Sequence, residues 1–500
     1  MKSVTLESLP PLARELAGEA LAWMEPYGDA ACDLLSYPGK CGHYSSLDVE
    51  TEQPHLIRES VWWAMGLLLR NQADDAIRAG RILEAVLRWQ FHEPGTPYHG
   101  TFARAPEEQV PSLEKCVMWK DYDPNWRQFI PTSFMIILER LSDRVSPALR
   151  SRLKDSIRLA VEGEPPDRIV PRYSNIAMMQ AVHLVYAGAL FHQPAWKERG
   201  LLLARQIYAL FSEHETFSEF NSPTYYGVNL YALRLWRLES NSPELEEWGA
   251  KMEAALWRHV ARYYHPRLRN LCGPFDRSYG MDMVKYSSGI GIWMRLELEP
   301  ERAPAPSPSL SEDFGHRHDF AVAPVLAILG TDIPTDVRPQ LREFSKECEF
   351  RQVIETKPET RIATVCMKPD RMWGAESGST ACRSDQLHYA TAHWFQPGGT
   401  VAWLRLENEA SVDAVASAGG IRLTASNGAA PARLIWHLSV KARPVISAEQ
   451  WRLPGMIVRV KTSLPAPVLA AGKGSLHTLT YEMPPSQKAS LELEFLPGNP

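Results

Sequence analysis

The period of the apolar residues changes once along this chain, and that change bounds what the chain can fold into. From Leu12 to about Phe344 apolar residues recur at three and four, as in Val61, Met65, Leu68 and Leu69, or Ile77, Ile82, Leu83, Val86 and Leu87, or Phe134, Ile137, Leu138 and Leu141. Segments of ~10–18 residues separated by Pro, Gly, Asp and Ser describe consecutive helical hairpins, about ten to twelve helices in all. No fixed-length repeat stands out, so the spacing predicts a closed or nearly closed (α/α) toroid rather than an open superhelix. Beyond the proline–serine stretch Ala303–Ser309 and two short helical pieces, Phe320 to Leu329 and Val337 to Phe344, the period becomes two. Arg361 to Met367, His388 to Phe395, Thr400 to Leu406, Gly420 to Ala425, Leu434 to Val440, Met456 to Thr462, Leu476 to Tyr481 and Leu491 to Phe495 read as strands of an antiparallel β-sandwich. The expectation is an α+β multidomain chain: a toroid over 1–345 and a β-sandwich over 346–500. A chain of 500 residues has room for two cores, because single cores stop growing near ~250–300 residues.

Charge and cysteine usage exclude several classes. With 54 basic and 59 acidic residues, net −5, and no basic stripe, the footprint of a nucleic-acid binder is missing. Seven cysteines, odd in number and without a Cys-x-x-Cys pair, fit reduced thiols and neither a disulfide frame nor a zinc site. Met1 to Glu25 lacks the uninterrupted apolar core of a secretory signal, and Ile176 to Phe191 is too short and too polar to span a bilayer. The expectation is a soluble, cytoplasmic protein without membrane partner. No Gly-x-Ser-x-Gly, Gly-x-Gly-x-x-Gly, Walker loop or His-Glu-x-x-His occurs, which disfavours nucleotide cofactors and zinc peptidase chemistry.

The stretch from Phe217 to Gly227 carries Glu219, Asn221, Ser222, Tyr225 and Tyr226 in about ten residues, more hydrogen-bonding groups than a connecting loop needs. Three other loop-to-helix junctions are similarly dense: Tyr98-His99, Trp119 to Trp126 with Asp123 inside it, and Arg172 to Asn175. Gly273 to Asp282, with Asp276, Arg277 and Tyr279, answers the first stretch. Such junctions line one rim of a toroid, and converging polar groups and aromatics suit a polar, ring-bearing ligand such as a sugar. Each also has a structural reading. Ser174 and Asn175 are good helix caps, Tyr225 and Tyr226 can be core residues, and Asp276 can pair with its neighbour. His183, on an apolar helix face, reads as structural. His316, His318 and Asp319 form a scrap of metal-like spacing without a partner motif, so neither metal nor cofactor is expected.

Glu219-Phe-Asn-Ser-Pro-Thr-Tyr225-Tyr resembles the Glu-x-Ser-Pro-x-Tyr-His signature of the heparinase II/III and alginate lyase-like polysaccharide lyases, with one extra residue and Tyr226 in place of the histidine. Ser174-Asn175 resembles that family's upstream Asn at a helix start, with Ile176 in place of its histidine. The layout, a toroid followed by antiparallel sheets, is similar over nearly the whole chain. The resemblance implies metal-independent β-elimination on a uronic acid. Asn175 and Arg277 would neutralise the C6 carboxylate. Tyr225, with Tyr279 second, would serve as base or acid once a nearby cation lowers its pKa. His99 is a possible partner, with His183 and His316 the other histidines available. Trp119, Trp126 and Tyr98 would stack on sugar faces, while Glu219, Asn221, Tyr226, Asp276 and His316 would contact substrate.

Other readings compete: a dehydratase, isomerase or cyclase acting on a small metabolite; a glycoside hydrolase drawing paired carboxylates from Glu219, Asp123, Asp276 and Asp282; and a non-catalytic glycan-binding module. The Gly- and Ser-rich stretch Met372 to Thr380, followed by Arg383 and Asp385, reads as a hairpin turn, or as a segment lying over the cleft. Oligomeric state is not legible.

Overall fold

The structure is a computed structural model that describes residues 4–37, 53–307, 314–379 and 386–498. The chain forms two compact units, each built from separate stretches: one from Met1–Leu210, Tyr226–Ala254 and Lys285–Asp332, the other from Phe211–Tyr225, Ala255–Val284 and Ile333–Pro500. Arg383 and Asp385 lie outside the described residues.

Helices α1 (Pro11–Met24), α2 (Ile57–Arg70), α3 (Asp75–Leu87), α4 (Trp126–Arg140), α5 (Pro147–Glu162), α6 (Ser174–Leu190), α7 (Pro194–Ser212), α8 (Tyr225–Leu238), α9 (Pro243–Tyr263), α10 (Gly289–Met294) and α11 (Ala323–Leu329) supply the first unit, α7, α8 and α9 each reaching into the second. They alternate in character. In α2, α4 and α6 nearly every side chain is buried, whereas α3 and α5 bury one stripe and expose the other; a helix apolar all round belongs inside and an amphipathic one outside. The inner helices form a ring. α2 packs on α4 and α4 on α6. Trp236 on α8 donates its indole N–H to the Met178 carbonyl on α6 at 2.8 Å, and Arg234 Nη2 on α8 donates to the Leu329 carbonyl at the end of α11 at 2.9 Å. α11 in turn packs on α1 and α2, which closes the toroid.

In the second unit a short helix, α12 (Arg338–Arg342), precedes two antiparallel sheets. One has eight strands in the order Val468–Ala471, Leu476–Met483, Ala432–Ser439, Val401–Asn408, Ala390–Phe395, Arg371–Ser377, Arg361–Lys368 and Cys348–Glu355. The other has six: Ser411–Ser417, Gly420–Ser426, Lys488–Pro497, Met456–Thr462, Gln450–Leu453 and Val445–Ile446. Their facing sides share one core that includes Trp373, Trp394, Trp436, Trp451, Leu404, Leu493 and Phe495, the packing of a β-sandwich. The stretch expected as a hairpin turn is instead an inner strand over Arg371–Ser377. Its five central residues are buried on both faces, so it shows no alternation. Gly374 there has a purpose: a Cβ would overlap the carbonyl oxygen of Gly273, so only glycine lets the 273–279 segment lie against the strand.

Among the described residues no helix is long and apolar enough to cross a membrane. Cys32, Cys116, Cys272, Cys348 and Cys366 are free thiols.

Candidate active site

Two loops of the second unit meet on the eight-stranded sheet. Segment 275–278 pairs with the chain leading into strand Ala390–Phe395: Phe275 and His388 exchange backbone hydrogen bonds at 3.2 and 2.8 Å, and Ser278 N–H donates to the Gln386 carbonyl at 2.9 Å. The Phe217–Tyr225 loop is fastened to that segment in turn. Asp276 N–H donates to the Phe220 carbonyl, Phe220 N–H donates to Asp276 Oδ2, both at 3.0 Å, and Asn221 Nδ2 donates to the carbonyls of Cys272 and Pro274 at 2.7 and 2.9 Å. Asn221 is fully buried at φ 48°, a left-handed conformation that Asn tolerates. It therefore fixes the loop and is not a substrate contact. Ser222 Oγ donates to the Arg277 carbonyl and accepts the Tyr225 N–H at 2.9 Å, capping the start of α8.

These restraints set four functional groups around Arg277. Its Nη2 donates to Tyr225 Oη at 2.6 Å, its Nη1 to Glu219 Oε1 at 3.0 Å and its Nε to Gln386 Oε1 at 2.8 Å. The guanidinium carbon also lies 4.1 Å from the Tyr225 ring centroid, within cation–π range. Tyr225 Oη is 2.6 Å from Tyr279 Oη, and Tyr279, 37% exposed, faces solvent. Burial pushes the Tyr225 phenol well above its ordinary pKa, Tyr279 adds to the rise, and Arg277 only opposes it. The direction is opposite to the expected lowering: the cation is present, but desolvation outweighs it. Tyr225 holds its proton at neutral pH.

Beneath this group lies a second arginine. Arg361, at the start of its strand, donates through Nη2 to both oxygens of Asp276 at 2.6 and 2.7 Å, through Nε to Glu376 Oε1 at 2.8 Å and through Nη1 to Glu355 Oε1 at 3.3 Å. Asp276 thus holds the arginine-bearing loop to the sheet and is not free for substrate. Three carboxylates share one guanidinium, and Glu376 is fully buried with no hydrogen-bond partner at Oε2. Burial, reinforced by Asp276 and opposed by Arg361, pushes its pKa up to about 8. A carboxyl whose folded pKa is raised adds stability below its unfolded value, near 4.5, that is lost as pH climbs through about 8. Glu376→Gln should therefore flatten the fall in melting temperature between pH 5 and 9, on the order of a few kcal/mol at the alkaline end. Parallel pH profiles for the two proteins in thermal denaturation would refute it.

A family model described as a domain of unknown function, DUF8769, matches residues 15–331, more than half of the chain. The chain belongs to that family. No curated protein matches. Among solved structures the chain is similar to the Streptomyces coelicolor A3 chondroitin AC lyase in complex with chondroitin sulphate, at TM-score 0.45 and 11% identity over 98% of this chain and 80% of that one. It is similar to heparinase III at TM-score 0.45 and 11% identity over 98% and 85%, and to the heparan sulfate lyase HepC from Pedobacter heparinus at TM-score 0.34 and 11% identity over 98% and 84%. Likenesses this low say nothing about substrate or reaction.

Asp282, in the second unit, accepts hydrogen bonds from Asn270 Nδ2 and the Val284 N–H, both at 3.2 Å. Several other residues singled out in the sequence belong to the toroidal unit, where they have structural roles. Tyr98 is fully buried against Phe91 and Tyr122, with ring centroids 5.3 and 6.0 Å away, so it offers no face to a sugar. Trp126 is buried as well, its ring 5.6 Å from the Arg58 guanidinium. Tyr226 is fully buried, and Asn175 is the fully buried second residue of α6, a helix whose cap position is Tyr173. His183 is buried with Nε2 3.3 Å from the Ile157 carbonyl oxygen, and desolvation drives its pKa down to about 4. His99 is partly buried, its carbonyl accepts Arg127 Nε at 2.8 Å, and burial followed by the Arg127 charge lowers its pKa. Trp119 alone of the expected stacking aromatics is open, 45% exposed. His316, His318 and Asp319 do gather, and Arg58 Nη2 donates to Asp319 Oδ1 at 3.0 Å, so an ion pair already engages one oxygen of that carboxylate.

Sequence reasoning missed Gln386, Arg361 and Glu376. Alternation marks a strand's faces and not which loop a strand-end arginine will hold. It also missed a buried network at the starts of α4 and α6, where Arg168 binds Glu164 in two hydrogen bonds at 2.6 and 2.7 Å and donates to Asn125 Oδ1 at 2.8 Å.

Proposed function

We propose that the protein is a carbon–oxygen lyase that cleaves a uronate-containing oligo- or polysaccharide by β-elimination, with the Arg277 cluster as its catalytic centre. The 2.6 Å contact between the Tyr225 and Tyr279 hydroxyls beside the Arg277 guanidinium carries this reading. Arg277 would receive the C6 carboxylate, in exchange for its present partners Glu219 and Gln386, and so make the C5 proton more acidic. Because Tyr225 keeps its proton, it is the acid for the departing O4. The C5 proton passes to Tyr279, whose own proton moves to Tyr225 as Tyr225 protonates O4. The C4–O4 bond breaks, the C4–C5 double bond forms, and both phenols end as they began. No metal is needed for any of these transfers.

A hydrolase with paired carboxylates is less well served. Asp276 is held by both oxygens on Arg361 and is not available as a free acid or base to pair with Glu219.

The test is ultraviolet absorbance of the unsaturated uronate during incubation of the purified protein with a panel of uronate-containing glycans. The expected result is a rise with the wild type that Arg277→Ala abolishes, with loss of both binding and turnover. New reducing ends without absorbance would replace this reading by hydrolysis. No change over a broad panel would discard glycan cleavage.

A further inference from the structure

We propose that Asp29, Cys32 and His55, in the toroidal unit, bind a divalent transition cation, with zinc the best match. Strands Gly28–Asp29, Leu34–Ser36 and His55–Leu56 form a small antiparallel sheet with the second in the middle. The turn from the first to the second is tight: Asp33 N–H donates to the Asp29 carbonyl at 2.9 Å, and Asp33 adopts φ 58°. That turn folds Cys32 back beside the residue that opens it, with Sγ 3.9 Å from the Asp29 carbonyl oxygen. His55 reaches the same place from the far strand. One nitrogen, one carboxylate oxygen and one sulfur from the three residues lie within 4.8 Å of one another.

The orientation of each donor fits a metal. Ala31 N–H occupies Asp29 Oδ1 at 2.8 Å, leaving Oδ2 facing His55 Nε2 at 3.2 Å. On the other side of the ring Glu107 Oε1 lies 2.5 Å from His55 Nδ1, and Glu107 Oε2 accepts the His55 backbone N–H at 3.1 Å. On metal binding the carboxylate at Nδ1 would keep the proton there and free Nε2 as the ligand atom, the arrangement that orients histidine ligands in metal sites. An imidazole held between two carboxylates needs no thiol. Cys32 makes the cluster a mixed nitrogen, oxygen and sulfur donor set, which suits zinc above magnesium or calcium. Among the described residues three supply ligands, which leaves one position of a tetrahedron open. All three residues are partly exposed, so an ion has a way in. Ligands at 29, 32 and 55 have no familiar spacing, which is why the sequence alone did not suggest them.

The experiment uses the full chain, stripped with a chelator and titrated with zinc against a chromophoric competitor, then loaded with cobalt for absorption spectroscopy. The expected result is one zinc per chain and a sulfur-to-cobalt charge-transfer band. His55→Ala and Cys32→Ser should each remove the stoichiometric site, and Glu107→Gln should weaken it roughly 10- to 100-fold. Asp33→Asn, whose carboxylate pairs with Arg81, should leave it intact. The cobalt band reads sulfur ligation in the unmutated protein, so it decides even where a variant fails to fold. Less than one equivalent of zinc bound, a cobalt spectrum without the sulfur band, or binding unchanged in folded Cys32→Ser would each overturn the proposal.

Discussion

Tyr225→Phe is expected to lower kcat on a uronate glycan by roughly 10²–10⁴-fold, the range for losing a positioned proton-transfer group, with KM little changed. The phenylalanine ring keeps its place under the Arg277 guanidinium, so carboxylate binding persists while the route from Tyr279 to O4 is cut. Tyr279→Phe should be as damaging if that residue takes the C5 proton, and much milder if it only orients Tyr225. Steady-state kinetics on both variants separates the two. Tyr225→Phe activity within tenfold of wild type would remove Tyr225 from the chemistry and with it the proposed reaction at this site.

Arg361→Ala should have the largest effect on stability. It leaves Asp276, Glu355 and Glu376 facing one another without a counter-charge, and removing one partner of a buried ionic cluster typically costs about 3–5 kcal/mol. Activity should fall as well, because Asp276 no longer anchors the segment that carries Arg277. Denaturant titration gives the first quantity. Adding Glu376→Gln should recover part of the loss above about pH 8, where that carboxyl would otherwise carry a third uncompensated charge. A cost under ~1 kcal/mol, or no recovery in the double variant, would show that the cluster relaxes into solvent instead of straining.

The helices and most strands were legible because burial follows period. The toroid's outer helices α3 and α5 bury residues at three and four, and strands such as Val401–Asn408 and Met456–Thr462 alternate strictly between buried and less buried positions. Where period is absent the sequence was silent. Arg371–Ser377 is buried on both faces and rich in small residues, and Ser411–Ser417 alternates with side chains too small to mark a strand. The pairing of the Glu219–Tyr225 stretch with Arg277 and Tyr279 was suggested by their density of polar groups. Density did not separate residues that face outward from those turned inward. Asn221 bonds to carbonyls, Tyr226 and Tyr98 are core, and Asp276 serves Arg361. Residue type gives a side chain's chemistry, but exposure is settled by packing.

The sheet-bearing unit draws two of its stretches, Phe211–Tyr225 and Ala255–Val284, from the middle of the helical region. Cutting the gene near residue 346 would therefore separate Tyr225 and Arg277 from the strands that seat them. During synthesis those two loops emerge from the ribosome well before His388 and Arg361, their backbone and ionic partners. The proposed catalytic corner is left unassembled until Arg361 and His388 have emerged, and a nascent or truncated product lacking them should be inert however well its helices have formed.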